Sequence, residues 1–104
     1  MEIQEIQKRI MDFVSKRTRA NNFELTPEQS CIHLTEEMGE IARQLSNKKM
    51  RPEKFDEANL KEEIIDVLLE TIILATSCNV DLNNEINNKL KALFKKHGFT
   101  EDSK

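Results

Sequence analysis

The sequence predicts an all-α protein, an antiparallel four-helix bundle assembled as a homodimer or a dimer of dimers. Three observations carry that reading. Among 104 residues there are only two Gly and two Pro, few turn-formers for a strand-rich domain. Apolar residues recur at helical spacing along most of the chain, and no window alternates with the period of two that a half-buried strand requires. The breaks between periodic stretches are mostly short, which favours antiparallel helical neighbours. A two-helix hairpin that dimerises is the other architecture such breaks permit.

The first helix is read from "EIQKRIMDFVSKRTRA", where Ile3, Ile6, Ile10, Phe13 and Val14 share one face, and it ends near Asn21 and Asn22. "TPEQ" then starts the second: Thr26 as N-cap, Pro27 at the first helical position and Gln29 to close a capping box. This helix turns Cys31, Leu34, Met38, Ile41, Ala42 and Leu45 inward. "SNKKMRPEKFDE", residues 46–57, loses the periodicity and holds the second proline, so it is expected to be the longest connection, with room for a short helical turn. The third helix opens with Asp56 or Asn59 as cap and runs to about Cys78. Asp81 caps a fourth, whose inner face is Leu82, Ile86, Leu90, Leu93 and Phe94, and Gly98 stops it.

One domain over residues 1–99, followed by a polar tail over 100–104, is what this length accommodates. With 16 Lys and Arg against 19 Asp and Glu, the net charge of -3 gives no basic footprint for a nucleic-acid polymer. Lys89, Lys91, Lys95 and Lys96 run without an intervening acid, either as a solvated face or as a patch turned to phosphate. Cys31 and Cys78 lack metal-ligand spacing and are read as buried free thiols of a reducing compartment. No apolar run is long enough for a membrane span or a signal peptide, so a cytoplasmic protein is expected.

The informative feature is where the acids fall. With Leu34, Met38, Ile41 and Leu45 inward, His33, Glu37, Glu40 and Gln44 form a polar strip along one side of the second helix, and Glu36 lies further towards solvent. The third helix is apolar around most of its circumference, and is expected to be buried on most sides, yet it carries Glu63, Asp66 and Glu70 in a narrow seam. Buried carboxylates are costly unless compensated, and no matching seam of arginines is evident in these two helices. Oxygen ligands from two adjacent helices, Glu37, Glu40, Glu63 and Asp66, suit a hard divalent cation, Mg²⁺ first and Mn²⁺ next. A di-iron bundle would use Glu-x-x-His pairs, but Ser30 and Phe94 stand three residues before His33 and His97. Zinc would want convergent His and Cys, which are absent. His33 is either a group beside the metal ligands, on the substrate side, or a partly buried structural histidine.

"EEMGE" (Glu36, Glu37, Glu40) followed by "EIID" (Glu63, Asp66) resembles the EExxE…ExxD signature of the MazG-like all-α nucleotide pyrophosphohydrolases, relatives of the dimeric dUTPases and phosphoribosyl-ATP pyrophosphohydrolases. Leu34, Gly39, "DVLL" and "NVDLNNEINNKL" extend the likeness over most of the chain. The resemblance implies Mg²⁺-dependent cleavage of a nucleoside triphosphate to a monophosphate and pyrophosphate, in a role such as clearing the nucleotide pool. It implies Glu37, Glu40, Glu63 and Asp66 as metal ligands, and Glu36 as a group that holds a second ion or orients the attacking water. Asn87 and Lys89 match polar and basic positions that face the phosphates. Where many relatives carry an asparagine and an arginine further along, this chain has Leu93 and Lys96, so a bidentate grip is reduced to a point charge. The tryptophan that often stacks the base is absent, leaving Phe13 or Phe23, both of which read first as core residues.

Two alternatives stay open on the sequence. The pattern is broad enough to include phosphoribosyl-ATP as substrate. A non-catalytic helical interaction module would pair the acidic seam with a basic partner, although the seam lies on the most apolar helix. Val67, Ile73 and Leu74 lie off the Leu68 face of the third helix, and a four-helix bundle this small is not expected to cover all of them, which is the ground for expecting self-assembly.

Overall fold

Four α-helices make up most of this computed structural model, which describes residues 2–22 and 24–102: α1 (Ile3–Asn21), α2 (Pro27–Met50), α3 (Glu57–Ser77) and α4 (Leu82–Lys96). A single 3-10 turn, Pro52–Lys54, lies between α2 and α3, and there is no strand among the described residues. Phe23 lies outside the described residues.

Local chemistry sets the helix ends. Asn22 takes the left-handed conformation (φ 51°) that asparagine tolerates, and its N–H donates to Thr18 O, closing α1. Thr26 Oγ1 accepts from the Gln29 N–H at 3.2 Å while Gln29 Oε1 accepts from the Thr26 N–H at 3.2 Å, the reciprocal capping box expected for "TPEQ". Asp56, rather than Asn59, caps α3, accepting from the Asn59 N–H at 3.1 Å. Asp81 caps α4 in the same way through the Asn84 N–H. At its other end Gly98 adopts φ 70°, the left-handed turn a glycine enters without strain, and the Phe99 N–H reaches back to Phe94 O.

One boundary departs from expectation. α2 continues to Met50, so the connection is residues 51–56 and the periodicity lost at Ser46 does not end the helix. A solvent-facing turn needs no apolar residue, and Lys48 and Lys49 suit the negative end of the helix dipole. Pro52 ends it instead, holding Arg51 out of the helical region at φ -142° and ψ 67°.

α2 and α3 run antiparallel. Gln44 donates to Asn59 Oδ1 at 3.0 Å and accepts from the Asp56 N–H at 2.9 Å, while one end of the pair brings His33 of α2 to Glu70 of α3. α1 lies on α3, where Ile10, Val14, Ile72 and Ile73 form the buried core, and Gln7 Nε2 donates to Thr76 Oγ1 at 3.2 Å. α4 packs on α1, with Leu82 against the core edge.

That core is smaller than the apolar content of the helices. Of the three side chains off the Leu68 face, Ile73 is buried and Val67 and Leu74 are half-buried, whereas Leu68 is 53% exposed and Ile64, Ile65 and Leu69 are exposed with it. α3 is therefore not buried on most sides within one chain. Met38, Leu45 and Ala42 on α2, and Ile86, Leu90 and Leu93 on α4, are likewise exposed instead of inward. Both cysteines are exposed, not buried. Periodicity marks which side chains favour burial, but it does not say whether the same chain covers them.

Candidate active site

The acids of α2 and α3 meet because the antiparallel register brings "EEMGE" alongside "EIID". Oxygens of Glu37, Glu63 and Asp66 lie within 4.8 Å of one another, and no other group of three His, Cys, Asp or Glu side chains comes so close among the described residues. Glu63 sits at the centre. It shares a hydrogen bond with Glu37, it is partly desolvated, and Glu37, Asp66 and Glu40 add like charge around it, which together push its carboxyl up to about 7. Its Oε2 is buried with no hydrogen-bond partner.

Glu40 contributes to that field, but its own carboxylate is held by Arg43 at 2.6 Å, one turn further along α2. That single arginine is no matching seam, and the pair is largely exposed and neutralises the outer edge of the cluster only. Glu36 is exposed. His33 Nδ1 stands 3.7 Å from Glu70 Oε1, across the α2–α3 seam.

Beside the acids opens a cleft of about 630 Å³ between α1, α2 and α3. Glu37, Asp66, Glu70 and His33 line one side, and Arg9, Phe13 and Arg17 of α1 line the other. Phe13 is not a core residue: it is 58% exposed, and the Arg17 guanidinium lies 5.3 Å from its ring centroid. Arg9 and Arg17 are functional candidates that the sequence reading does not include. A signal for them exists, since Arg9, Phe13 and Arg17 stand one turn apart and therefore share a face of the first helix. Asn87, Lys89 and Lys96 are exposed on α4, and none of them lines this cleft.

The three gathered carboxylates fit a small divalent cation. Opposed oxygens around Mg²⁺ stand roughly 4.2 Å apart, twice a contact of about 2.1 Å, so a span of 4.8 Å closes with small side-chain adjustments. The buried, unpartnered Glu63 Oε2 is an acceptor that a cation would satisfy. No sulfur or imidazole joins the set, which suits hard cations and not zinc. Chemically, the cleft combines carboxylates that can take positive charge, two arginines of α1, and apolar walls that include Ile65, Ile72 and Ile73.

A family model for the MazG nucleotide pyrophosphohydrolase domain matches residues 25–99, which include α2, α3 and α4 in full. No curated protein matches the chain.

Proposed function

The chain belongs to the MazG nucleotide pyrophosphohydrolase family, and from that premise we propose that it hydrolyses a nucleoside or deoxynucleoside triphosphate between the α and β phosphates, with Mg²⁺ as cofactor and Mn²⁺ as a substitute. The observation that carries this reading is the gathering of Glu37, Glu63 and Asp66 within 4.8 Å beside a cleft of about 630 Å³ that Glu37 and Asp66 line. In this proposal the three carboxylates would hold the metal, with Glu40, now paired with Arg43, as the fourth candidate ligand.

A triphosphate carries about four negative charges near neutral pH, so the acidic cluster repels it unless cations lie between the two. When bound, the divalent ion supplies charge neutralisation on the phosphoryl oxygens and acidifies a water. The protein's own groups do the rest. Glu36 takes up the proton of the attacking water or orients it from the solvent side. Phe13 offers a face on which a base can stack, and Arg9 and Arg17 bring positive charge to the cleft wall facing the acids.

Asn87, Lys89 and Lys96 remain candidates for holding the β and γ phosphates, with His33 as a further substrate-side group. α4 does not border its own chain's cleft, so this role calls for a second copy to present it. A homodimer or homotetramer is accordingly part of the proposal, supported by the uncovered apolar faces of α2, α3 and α4.

The test is product identity. Purified protein incubated with Mg²⁺ and a panel of ribo- and deoxynucleoside triphosphates is expected to release monophosphate and pyrophosphate, resolved by anion-exchange chromatography. Chelation abolishes turnover, and Glu63→Gln lowers it about 100-fold or more. No product from the whole panel overturns the assignment of this reaction.

A further inference from the structure

Glu70 belongs to the acidic seam of α3 but not to the group that gathers for a cation. Its side chain is 14% exposed, and its Oε1 is buried without a hydrogen-bond partner. A carboxylate oxygen withdrawn from water with no donor on it is costly to keep unless a ligand completes it. His33 Nδ1 pairs with it only loosely, at 3.7 Å, beyond hydrogen-bond length. Both residues line the cleft. The two side chains thus flank a gap that each can reach and neither closes.

The group that fills such a gap must donate to a carboxylate and accept from an imidazole N–H. A hydroxyl does both at one oxygen atom. An oxygen about 2.8 Å from each partner, an ordinary hydrogen-bond length, closes a triangle on the 3.7 Å base. A phosphate oxygen cannot donate, and an exocyclic amine of a base is a poor acceptor, so neither serves both sides.

Position along α3 points the same way. Glu70 lies one turn beyond Asp66, about 6 Å along the helix axis, and Ile72 and Ile73 continue the cleft wall past it. Along α3 the polar groups lining the cleft come in the order Asp66, then Glu70, with apolar side chains (Ile65, Leu68, Leu69) before and between them and only apolar ones (Ile72, Ile73) beyond. A nucleotide has the same order: phosphate, sugar, base.

We propose that Glu70 and His33 form the sugar-reading element of the cleft, gripping a ribose hydroxyl between the Glu70 carboxylate and His33 Nδ1–H. This rests on the nucleotide reading above. It adds that the protein distinguishes sugars, and that it does so with a pair separate from the metal ligands.

The experiment compares each ribonucleotide with its 2′-deoxy, 3′-deoxy and 2′,3′-dideoxy counterparts, all with the same base. Turnover of the triphosphates is followed as kcat/KM, and binding of the corresponding monophosphates by calorimetry, so that recognition is read without catalysis. The dideoxy compound is expected to be about ten- to a hundredfold poorer in both, the loss set by a hydrogen bond to a charged group. Whichever monodeoxy compound shares the loss identifies the hydroxyl held. In Glu70→Gln and Glu70→Leu, checked by melting temperature for an intact fold, the difference between the sugars shrinks to within about threefold, and His33→Ala narrows it as well.

Equal handling of ribose and dideoxyribose by the wild-type protein overturns the proposal, as does a sugar preference that both Glu70 variants retain. A preference among bases that the variants abolish, with sugars treated alike, overturns it in favour of a base contact. Sugar-dependent binding of monophosphates with no turnover supports this element while rejecting the hydrolase reading. Turnover indifferent to the sugar does the reverse.

Discussion

Once the proton on Glu63 is lost, its hydrogen bond with Glu37 fails and the cluster holds like charges that the metal-free protein does not balance. Its carboxyl is raised from an ordinary 4.5 to about 7, so the folded state holds this proton more tightly than the unfolded one. That contribution to stability is complete below about 4.5 and disappears as the pH rises through about 7. In chelator, the melting temperature is therefore expected to fall between these pH values and to fall less in Glu63→Gln, by calorimetric or fluorescence scans. If Mg²⁺ is the cofactor as proposed, it binds the ionised carboxylates, so it is expected to invert the trend, with an increment in melting temperature that grows as the pH rises. An increment of the same size in Glu63→Gln would remove Glu63 from the metal site. Residue types alone make the partnership of Glu37, Glu63 and Asp66 legible, since carboxylates one turn apart on apolar helices are costly until a cation compensates them. Arg43 beside Glu40, and the facing of His33 and Glu70, depend on rotamers and helix register, which a pattern of residue types does not contain.

Among the elements, α2 has the clearest written beginning and the least legible end. Thr26, Pro27 and Gln29 are each suited to a helix start for a separate reason, and their agreement makes the boundary readable. Thr26→Ala removes one acceptor of the capping box and is expected to cost about 1 kcal/mol in denaturant unfolding. A cost near zero would mean that tertiary contacts hold the first turn without the cap. The far end of α2 is obscure in the sequence because a solvated helical turn and a loop lose apolar spacing alike. On α1 the arginines flanking Phe13 are obscure for a related reason: an apolar stripe reads as core, although polar neighbours on the same face can turn it into a cleft wall. The helices themselves are legible throughout, since Gly and Pro are so scarce that little could interrupt them.

For the whole molecule, the discrepancy lies between four good helices and a core of four buried apolar side chains among the described residues. The Cα radius of gyration is 17.1 Å, against about 13 Å for a close-packed chain of this length. Leu68, Ile86 and Leu90 are exposed on two different helices, as the proposed self-assembly requires. Light scattering is expected to give at least twice the 12.1 kDa chain mass. Leu68→Glu shifts the population towards monomer and lowers the melting temperature by several degrees, the scale of about 1 kcal/mol or more in a small domain. A stable monomer with an unaltered melting curve would reject the assembly. Sequence alone identifies the apolar faces and not their cover, because hydrophobic burial is the same physics whether the covering surface belongs to one chain or two.

The slightness of the core has a consequence for dosage. If folding is completed only by a second copy, stability becomes a function of protein concentration. Dilution then does more than reduce the number of molecules: it lowers the fraction that is folded at all. Specific activity measured across a dilution series would bend downward at the low end, and a cell making little of this chain would hold proportionally less working protein than its abundance suggests.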